Sequence, residues 1–198
     1  MLSIKENLQK SDILKLFACK SEQTVGIEYE RLPISNSTLK AVDYDEGICD
    51  FLRQFAKEEN WDYITDDYNI IGLKQNHDTI TLEPGCQVEL SLKPENSLQD
   101  LEKKIKTLNK TINDILSKTD IKLLNYGVSP LSTHKSINII PKKRYKIMAR
   151  YLWGILSDVM MRETAGFQVN VDFESEEMAL FKLSKLLNFK PITLCNSS

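Results

Sequence analysis

Glycine and proline are scarce in this chain, at 7 and 6 of 198 residues, and no repeat or low-complexity tract accompanies them. This composition excludes collagen-like, repeat and extensively disordered proteins. The four cysteines, Cys19, Cys49, Cys86 and Cys195, lack the paired spacing of zinc sites and disulfide frameworks. We therefore expect reduced thiols and a cytoplasmic location.

Long apolar runs and an excess of either charge are also missing. No stretch of about 18 apolar residues is present, and the N-terminal MLSIKENLQK lacks the apolar core of a secretory signal. The 26 basic and 28 acidic residues leave a formal net charge of -2, so neither nucleic acid nor a membrane is expected as a partner. Signatures of P-loop, Rossmann and serine-hydrolase sites are absent. A hydrophobic content of 41% is enough for the core of one domain.

Hydrophobic periodicity predicts a mixture of helices and antiparallel strands without βαβ repeats. Helices are predicted at Ser11–Cys19, Asp43–Glu59, Ser97–Lys118 and Ser175–Leu187, and from Pro141 through KKRYKIMARYL. Strands are predicted at Thr24–Leu32, Trp61–Thr65, Asn69–Lys74, Ile121–Val128 and Thr164–Phe173, and within Thr79–Leu92, where Pro84-Gly85 predicts a bend or bulge. This order predicts an α+β domain, with helices against one side of a mostly antiparallel sheet.

Three of these strands place acidic and amide side chains on one side. If the strands share a sheet, its uncovered face carries Glu28, Glu30, Glu83, Gln87, Glu89, Gln168, Asn170 and Asp172. A plain solvated face is the simplest interpretation of each strand alone. The absence of lysine among these positions favours another, because neighbouring carboxylates repel unless a cation lies between them. Oxygen ligands suit Mg²⁺, and Mg²⁺ in turn holds phosphates, so the face is a candidate platform for a nucleotide triphosphate.

A basic segment, PKKRYKIMAR, adds a possible anion contact. Arg144 lies near the start of the predicted helix, with Lys142, Lys143 and Lys146 beside it. An arginine fork binds carboxylate or phosphate through two hydrogen bonds. A solvated helix edge explains the same pattern without any ligand.

Four motifs in this order resemble the plant-type glutamate–cysteine ligases. VGIEYE resembles the family's G-x-E-x-E strand, and ITLEPGCQVELS resembles its L-E-P-G-G-Q-x-E-L-S hairpin. PKKRYKIM is similar to P-K-G-R-Y-x-I-M, and QVNVDFESE to Q-V-N-x-D-F-x-S-E. The resemblance covers most of the chain, residues 1–198, as the N-terminal half of a catalytic domain. It implies a glutamine-synthetase-like curved antiparallel sheet, incomplete at the C-terminus, with helices on its convex face.

The resemblance also implies a reaction, first in glutathione biosynthesis. ATP and Mg²⁺ would serve to join the γ-carboxyl of glutamate to the amine of cysteine through a γ-glutamyl phosphate. By motif position, the metal ligands would be Glu28, Glu30, Glu83 and Glu89. Gln168 and Asn170 would face the metal–nucleotide site, Gln87 would support its floor, and Arg144 would approach a substrate carboxylate or a phosphate.

Two departures from the family pattern limit these expectations. Cys86 stands where the family has the second glycine of its turn. Family members are also about twice as long, so we expect weak or no activity without a C-terminal half. A ligase using another amine, a non-catalytic remnant that binds nucleotide, and a purely structural domain are the alternatives.

Overall fold

The computed structural model describes residues 23–152 and 154–196, so the helix predicted at Ser11–Cys19 lies outside the described residues. Seven strands form one open antiparallel sheet: β1 (Val25–Ser35), β2 (Asp62–Asp66), β3 (Asn69–Gln75), β4 (Asp78–Leu82), β5 (Val88–Glu95), β6 (Ile121–Leu124) and β7 (Phe167–Val171). The described α-helices are α1 (Ile48–Glu59), α2 (Leu98–Leu116), α3 (Lys143–Tyr151), α4 (Ile155–Glu163) and α5 (Glu176–Asn196). The predicted α+β class is confirmed.

Strand β1 pairs with three other strands of the sheet, whose order is β2-β3-β4-β5-β1-β6. One edge of β1 pairs with β5, and its other edge pairs first with β7, over Val25–Tyr29, and then with β6, over Leu32–Ser35. Because all three partners come much later in the described chain, residues far apart in sequence meet along β1.

The segment predicted as one bent strand, Thr79–Leu92, is instead two antiparallel strands. Leu82 pairs with Val88, and a tight turn between them reverses the chain. The Cys86 amide donates to the Glu83 carbonyl oxygen at 2.9 Å, which closes a turn with Pro84-Gly85 at its centre. Proline followed by glycine favours such a reversal, so the bend or bulge predicted here is wrong.

Helices α1 and α2 cover one face of the sheet. The spacing of Ile48, Phe51, Leu52 and Phe55 predicts an apolar stripe on α1. This stripe is buried against the strands, and Phe55 has no exposed surface. Burial of a side chain of this size contributes about 2–3 kcal/mol. Ser97 caps α2 by accepting a hydrogen bond from the Asp100 amide. The predicted one-sided helix layer therefore exists over these strands.

Three helices differ from their sequence-based predictions. The helix predicted from Asp43 is interrupted at Gly47, whose φ of 136° ends a short 3-10 turn at Tyr44–Glu46 before α1 begins. Helix α4 was not predicted at all, and α5 continues well past Leu187, its predicted end. No helix in the described ranges is long and apolar enough to cross a bilayer.

Arg31 is a charged side chain buried in the covered side of the sheet, with only 3% of its surface exposed. Its guanidinium carbon lies 5.3 Å from the centre of the Tyr29 ring. Its Nε and Nη2 atoms are buried and lack a hydrogen-bond partner among the described residues. Burial lowers the pKa of Arg31 to about 10, because the charged form is poorly solvated there.

We expect Arg31→Met to stabilise the protein by about 1–3 kcal/mol, because it removes a buried charge that has no carboxylate partner among the described residues, and because it keeps an unbranched side chain. Urea unfolding at neutral pH measures the change. Arg53→Met serves as the control, since Arg53 is exposed and pairs with Asp50 on the surface. A lower free energy of unfolding for Arg31→Met would mean that the guanidinium has a stabilising partner after all.

Candidate active site

Three of the four predicted glutamates, Glu28, Glu30 and Glu89, lie on neighbouring strands, on the face opposite α1 and α2. Glu30 of β1 lies directly across from Glu89 of β5, and Glu89 lies across from Thr81 of β4. In the next row, Glu28 lies across from Gln168 of β7. Side chains of directly opposed residues are about 5 Å apart at Cβ. The sheet therefore brings three of the four glutamates into two adjacent rows.

Glu83 reaches the same region from the turn between β4 and β5. The turn is held by a hydrogen bond from the Glu83 amide to the Gln87 carbonyl oxygen at 2.9 Å. Cys86 occupies the left-handed region, with φ of 70°, where glycine is preferred. The thiol side chain is fully buried, so this left-handed position of the turn carries a packed side chain where the family has its second glycine.

Gln87 fastens this turn to the end of α4. Its Oε1 accepts from the Gly85 amide at 2.7 Å, and its Nε2 donates to the carbonyl oxygens of Met161 at 3.2 Å and Thr164 at 2.7 Å. The side chain is 2% exposed. Its amide is thus committed to backbone groups, which suits the predicted floor-supporting role. Direct cofactor contact by Gln87 stays a prediction.

A cavity of about 290 Å³ opens where the turn, β1 and β7 meet α3 and α4. Among the predicted site residues it collects Glu30, Glu83, Gln87 and Gln168. Its remaining lining residues are Pro84, Met148, Met160, Met161, Thr164, Ala165 and Gly166. The cavity therefore has an acidic and amide side facing a side of methionines.

The other predicted residues lie outside this cavity lining. Glu89 Oε1 accepts from the hydroxyls of Thr81 at 3.0 Å and Ser91 at 2.8 Å. Glu28 Oε1 accepts from Asn170 Nδ2 at 3.4 Å. These bonds hold both carboxylates in place on the sheet face beside the cavity.

The pKa values of Glu30 and Glu83 are both raised in this site. Burial raises the pKa of Glu30, and the nearby carboxylates of Glu83, Glu89 and Glu28 raise it further. The Gly166 amide opposes this by donating to Glu30 Oε2 at 2.6 Å. Burial likewise raises the pKa of Glu83, and the charge of Glu89 adds to the effect. Each carboxylate would gain from a cation placed among them.

The glutamates and glutamines of this site carry the kind of donor atoms that such a cation binds, but they are not grouped closely enough to form a complete metal site. Carboxylate and amide oxygens are the ligands that Mg²⁺ prefers. Across residues 23–152 and 154–196, no three His, Cys, Asp or Glu side chains are grouped closely enough to hold a metal ion. Glu30 and Glu83 are the residues best placed to hold one, since they share the cavity.

Positive charge reaches the site from the start of α3. Arg144 is exposed in the first turn of this helix, and its charge lowers the pKa of Glu83. Lys142 is half-buried, acts on Glu83 in the same direction, and donates to the Tyr145 hydroxyl at 2.9 Å. The Tyr145 hydroxyl in turn donates to Glu83 Oε1 at 2.8 Å. Arg144 and Lys142 thus add positive charge to the surroundings of Glu83, and the anion contact of Arg144 stays a prediction.

Lys142 and Tyr145 were missed as site residues, although both belong to the motif that singled out Arg144. The proline followed by basic residues is the signal that could have identified them. Met160, which is 52% exposed, and Met161, which is 2% exposed, also line the cavity.

We expect Tyr145→Phe to raise the pKa of Glu83, because the lost hydroxyl is the hydrogen-bond donor that stabilises the ionised carboxylate. NMR titration of the side-chain carboxyl carbon of Glu83 measures this change. Tyr126→Phe is the control, since Tyr126 is 61% exposed. An unchanged Glu83 pKa in Tyr145→Phe would contradict the hydrogen bond described above.

Comparison with known proteins agrees with the motifs. Residues 24–196 match the family model described as glutamate–cysteine ligase family 2 (GCS2). The chain is 34% identical over 193 residues to the chloroplastic glutamate–cysteine ligase B of Oryza sativa subsp. japonica, covering 94% of this chain and 39% of that protein. It is 33% identical over 193 residues to the chloroplastic glutamate–cysteine ligase of Arabidopsis thaliana, covering 94% of this chain and 37% of that protein.

The chain spans about two fifths of the length of the curated relatives it matches. Its own match to the family model extends over nearly all of the residues that the structure describes. The chain therefore belongs to glutamate–cysteine ligase family 2.

Proposed function

We propose that this chain supplies the cation and nucleotide side of an ATP-dependent ligase that joins the γ-carboxyl of glutamate to the amine of cysteine. The observation that carries the proposal is the shared cavity of Glu30, Glu83 and Gln168, together with the charge of Arg144, which acts on Glu83. Membership of glutamate–cysteine ligase family 2 supports the ligase chemistry. The names of the relatives support cysteine as the acceptor.

The reaction consists of two displacements. An oxygen of the glutamate γ-carboxylate attacks the terminal phosphorus of ATP and releases ADP. The cysteine amine then attacks the carbonyl carbon of the resulting acyl phosphate. The bond between this carbon and the phosphate oxygen breaks, inorganic phosphate leaves, and the nitrogen loses a proton. A bound Mg²⁺ would offset negative charge on the phosphates during the first displacement.

The chain's own residues would prepare these steps. Glu30 and Glu83 would hold the cation. The carboxylates of Glu28 and Glu89 would add negative charge around it. Gln168 would donate or accept at the nucleotide from the β7 side of the cavity. Arg144 would neutralise a phosphate or the substrate carboxylate, since its guanidinium has no ion-pair partner among the described residues. Gln87 would keep the turn that carries Glu83 in position.

The first test is nucleotide binding by the chain itself, measured by calorimetry with ATP in the presence and absence of Mg²⁺. We expect binding that requires Mg²⁺ and that Glu30→Gln weakens by at least about tenfold. Glu102→Gln is a matched control on the exposed side of α2, where Glu102 pairs with Lys106. ATP binding that is equally strong without Mg²⁺, or insensitive to Glu30→Gln, would refute the proposed site.

A non-catalytic remnant is the second candidate, because the chain matches only about two fifths of its relatives. Phosphate release should be assayed with ATP, glutamate and a panel of amines, with and without the unmatched part of the rice enzyme. Turnover that requires this part and prefers cysteine supports the ligase. Mg-ATP binding without turnover under every condition identifies a remnant, and turnover without preference for cysteine identifies a ligase of another amine.

A further inference from the structure

Helix α3 begins without a cap from its own segment. Its first residue is Lys143, and Lys142, in the N-cap position, makes no side-chain hydrogen bond to the helix. The first turn contains no acidic residue. Lys142, Lys143 and Arg144 instead place three positive charges at the end of the helix where the peptide dipoles are already positive. The local sequence therefore disfavours a helix start at this place.

The missing cap comes from the turn between β2 and β3. The Lys143 amide donates to Asp66 Oδ2 at 2.6 Å. Asp66 is the last residue of β2 and precedes Lys143 by 77 residues. A carboxylate that accepts from the first amides of a helix satisfies a free donor and offsets the positive end of the dipole. Asp66 therefore does for α3 what the adjacent Ser97 does for α2.

Two further contacts lie at the start of α3. Lys143 Nζ pairs with Asp67 Oδ1 at 2.5 Å, but the two side chains are 66% and 54% exposed, so this pair contributes little. Just before the helix, the Ile140 amide donates to the Pro84 carbonyl oxygen at 3.0 Å. The start of α3 is thus held between two turns, the one that joins β2 to β3 and the one that carries Glu83.

The first turn of α3 carries the groups that act on Glu83. The Tyr145 hydroxyl donates to Glu83 Oε1 at 2.8 Å, and the charges of Lys142 and Arg144 act on the same carboxylate. The amides of Tyr145 and Lys146 both donate to the Lys142 carbonyl oxygen, at 3.1 Å and 3.2 Å. A displacement of this turn would therefore move the hydroxyl and both charges together.

We propose that Asp66 is a positioning residue, which caps α3 from the turn between β2 and β3 and so fixes the place from which Tyr145 and Arg144 act on Glu83. Asp66 is not among the residues that line the cavity, so it acts through the helix start and not on a ligand. An acidic cap within the segment would lie next to Arg144, whose charge has no carboxylate partner among the described residues. The expected effect on nucleotide binding rests on the proposed function, whereas the capping itself does not.

The first measurement is amide hydrogen exchange of Tyr145 and Lys146 in the ligand-free chain. Asp66→Ala removes the acceptor and should accelerate both amides at least about fivefold, the factor that corresponds to loss of one N-cap. Asp66→Asn keeps a side-chain oxygen in the same place, so its rates should stay within about twofold of the parent. Asp67→Asn is the matched control, because it removes only the exposed pair with Lys143, and asparagine tolerates the φ of 51° at this position.

The second measurement is a double-mutant cycle on the affinity for Mg-ATP, followed by calorimetry. Asp66→Ala alone should weaken binding about fivefold, because the ligand must then order the start of α3 as it binds. In an Arg144→Ala background the same substitution should weaken binding by at most about twofold, because Asp66 acts largely through Arg144. A residue that only stabilises the fold would change the affinity by the same factor in both backgrounds.

Two results would overturn the proposal. One is amide exchange of Tyr145 and Lys146 that Asp66→Ala leaves unchanged, or that Asp67→Asn accelerates equally. The other is an effect of Asp66→Ala on Mg-ATP affinity that is the same with and without Arg144. Absence of Mg-ATP binding by the parent chain would instead refute the proposed function, and the exchange rates would then decide alone whether Asp66 holds the start of α3. Urea unfolding of each variant verifies that the compared proteins are folded.

Discussion

Gly85→Ala is expected to destabilise the protein by about 3 kcal/mol or more, the largest effect anticipated for any single methyl group in the site. A Cβ at Gly85 would lie 2.5 Å from the carbonyl oxygen of Arg162 and 2.6 Å from its Cα. Both neighbours are backbone atoms, so no side chain can rotate away to make room. The turn or the end of α4 would have to move, and the hydrogen bonds of Gln87 that join them would be lost.

Equilibrium unfolding in urea measures this effect. Gly127→Ala is the matched control, because a Cβ there would meet only the Ala165 carbonyl oxygen, at 3.9 Å. It should change the free energy of unfolding by less than about 1 kcal/mol. A Gly85→Ala protein with the urea midpoint of the parent would show that the turn and α4 are not in backbone contact.

Glu83→Gln is expected to have opposite effects on stability and on cation binding. Without a divalent cation at neutral pH, the variant should be more stable, because it removes a half-buried charge that Glu89 repels. It keeps an oxygen to accept from the Tyr145 hydroxyl. Binding of Mn²⁺, measured by electron paramagnetic resonance, should weaken by at least about tenfold, because a ligand charge is lost.

The pH dependence follows from the direction of the Glu83 pKa shift. Since the folded pKa is raised above its ordinary value of 4.5, the folded state binds the proton more tightly than the unfolded state does. Stability from this group is therefore fully present below about pH 4.5 and is lost as the pH rises through the folded pKa. The advantage of Glu83→Gln should appear at neutral pH and vanish near pH 4.

Glu102→Gln again provides the comparison, as an exposed glutamate whose pair with Lys106 contributes little. If Glu83→Gln were less stable than the parent at neutral pH, the carboxylate would be held by attraction from Lys142, Tyr145 and Arg144 rather than disfavoured by burial. Mn²⁺ binding unchanged by the substitution would remove Glu83 from the cation site.

Local patterns predicted the strands and the sides on which their residues lie. Alternation placed Glu28 and Glu30 opposite Ile27 and Tyr29, and the structure keeps that division. The spacing of Ile48, Phe51 and Phe55 predicted the buried side of α1. These predictions succeed because strand and helix periods are properties of neighbouring residues.

Structural features that depend on contacts between residues far apart in the sequence could not be predicted from local patterns. Nothing in the sequence near Glu30 indicates that Gly166 donates to its carboxylate. Helix α4 escaped prediction because its N-cap is Gly154, which offers no side-chain hydrogen bond, and its apolar residues form no clear stripe. The exposure of Phe167 and Val169 also could not be deduced, because alternation identifies the apolar side of a strand without showing what covers it.

The pairing of β1 with the much later strands β5, β6 and β7 has a consequence for synthesis on the ribosome. Gly166, whose amide holds Glu30, follows it by 136 residues. At about 5–20 residues per second, translation separates the two by roughly 7 to 27 seconds. During that interval β1 leaves the exit tunnel with its β7 edge still unpaired, so this strand is where the nascent chain most needs protection by chaperones.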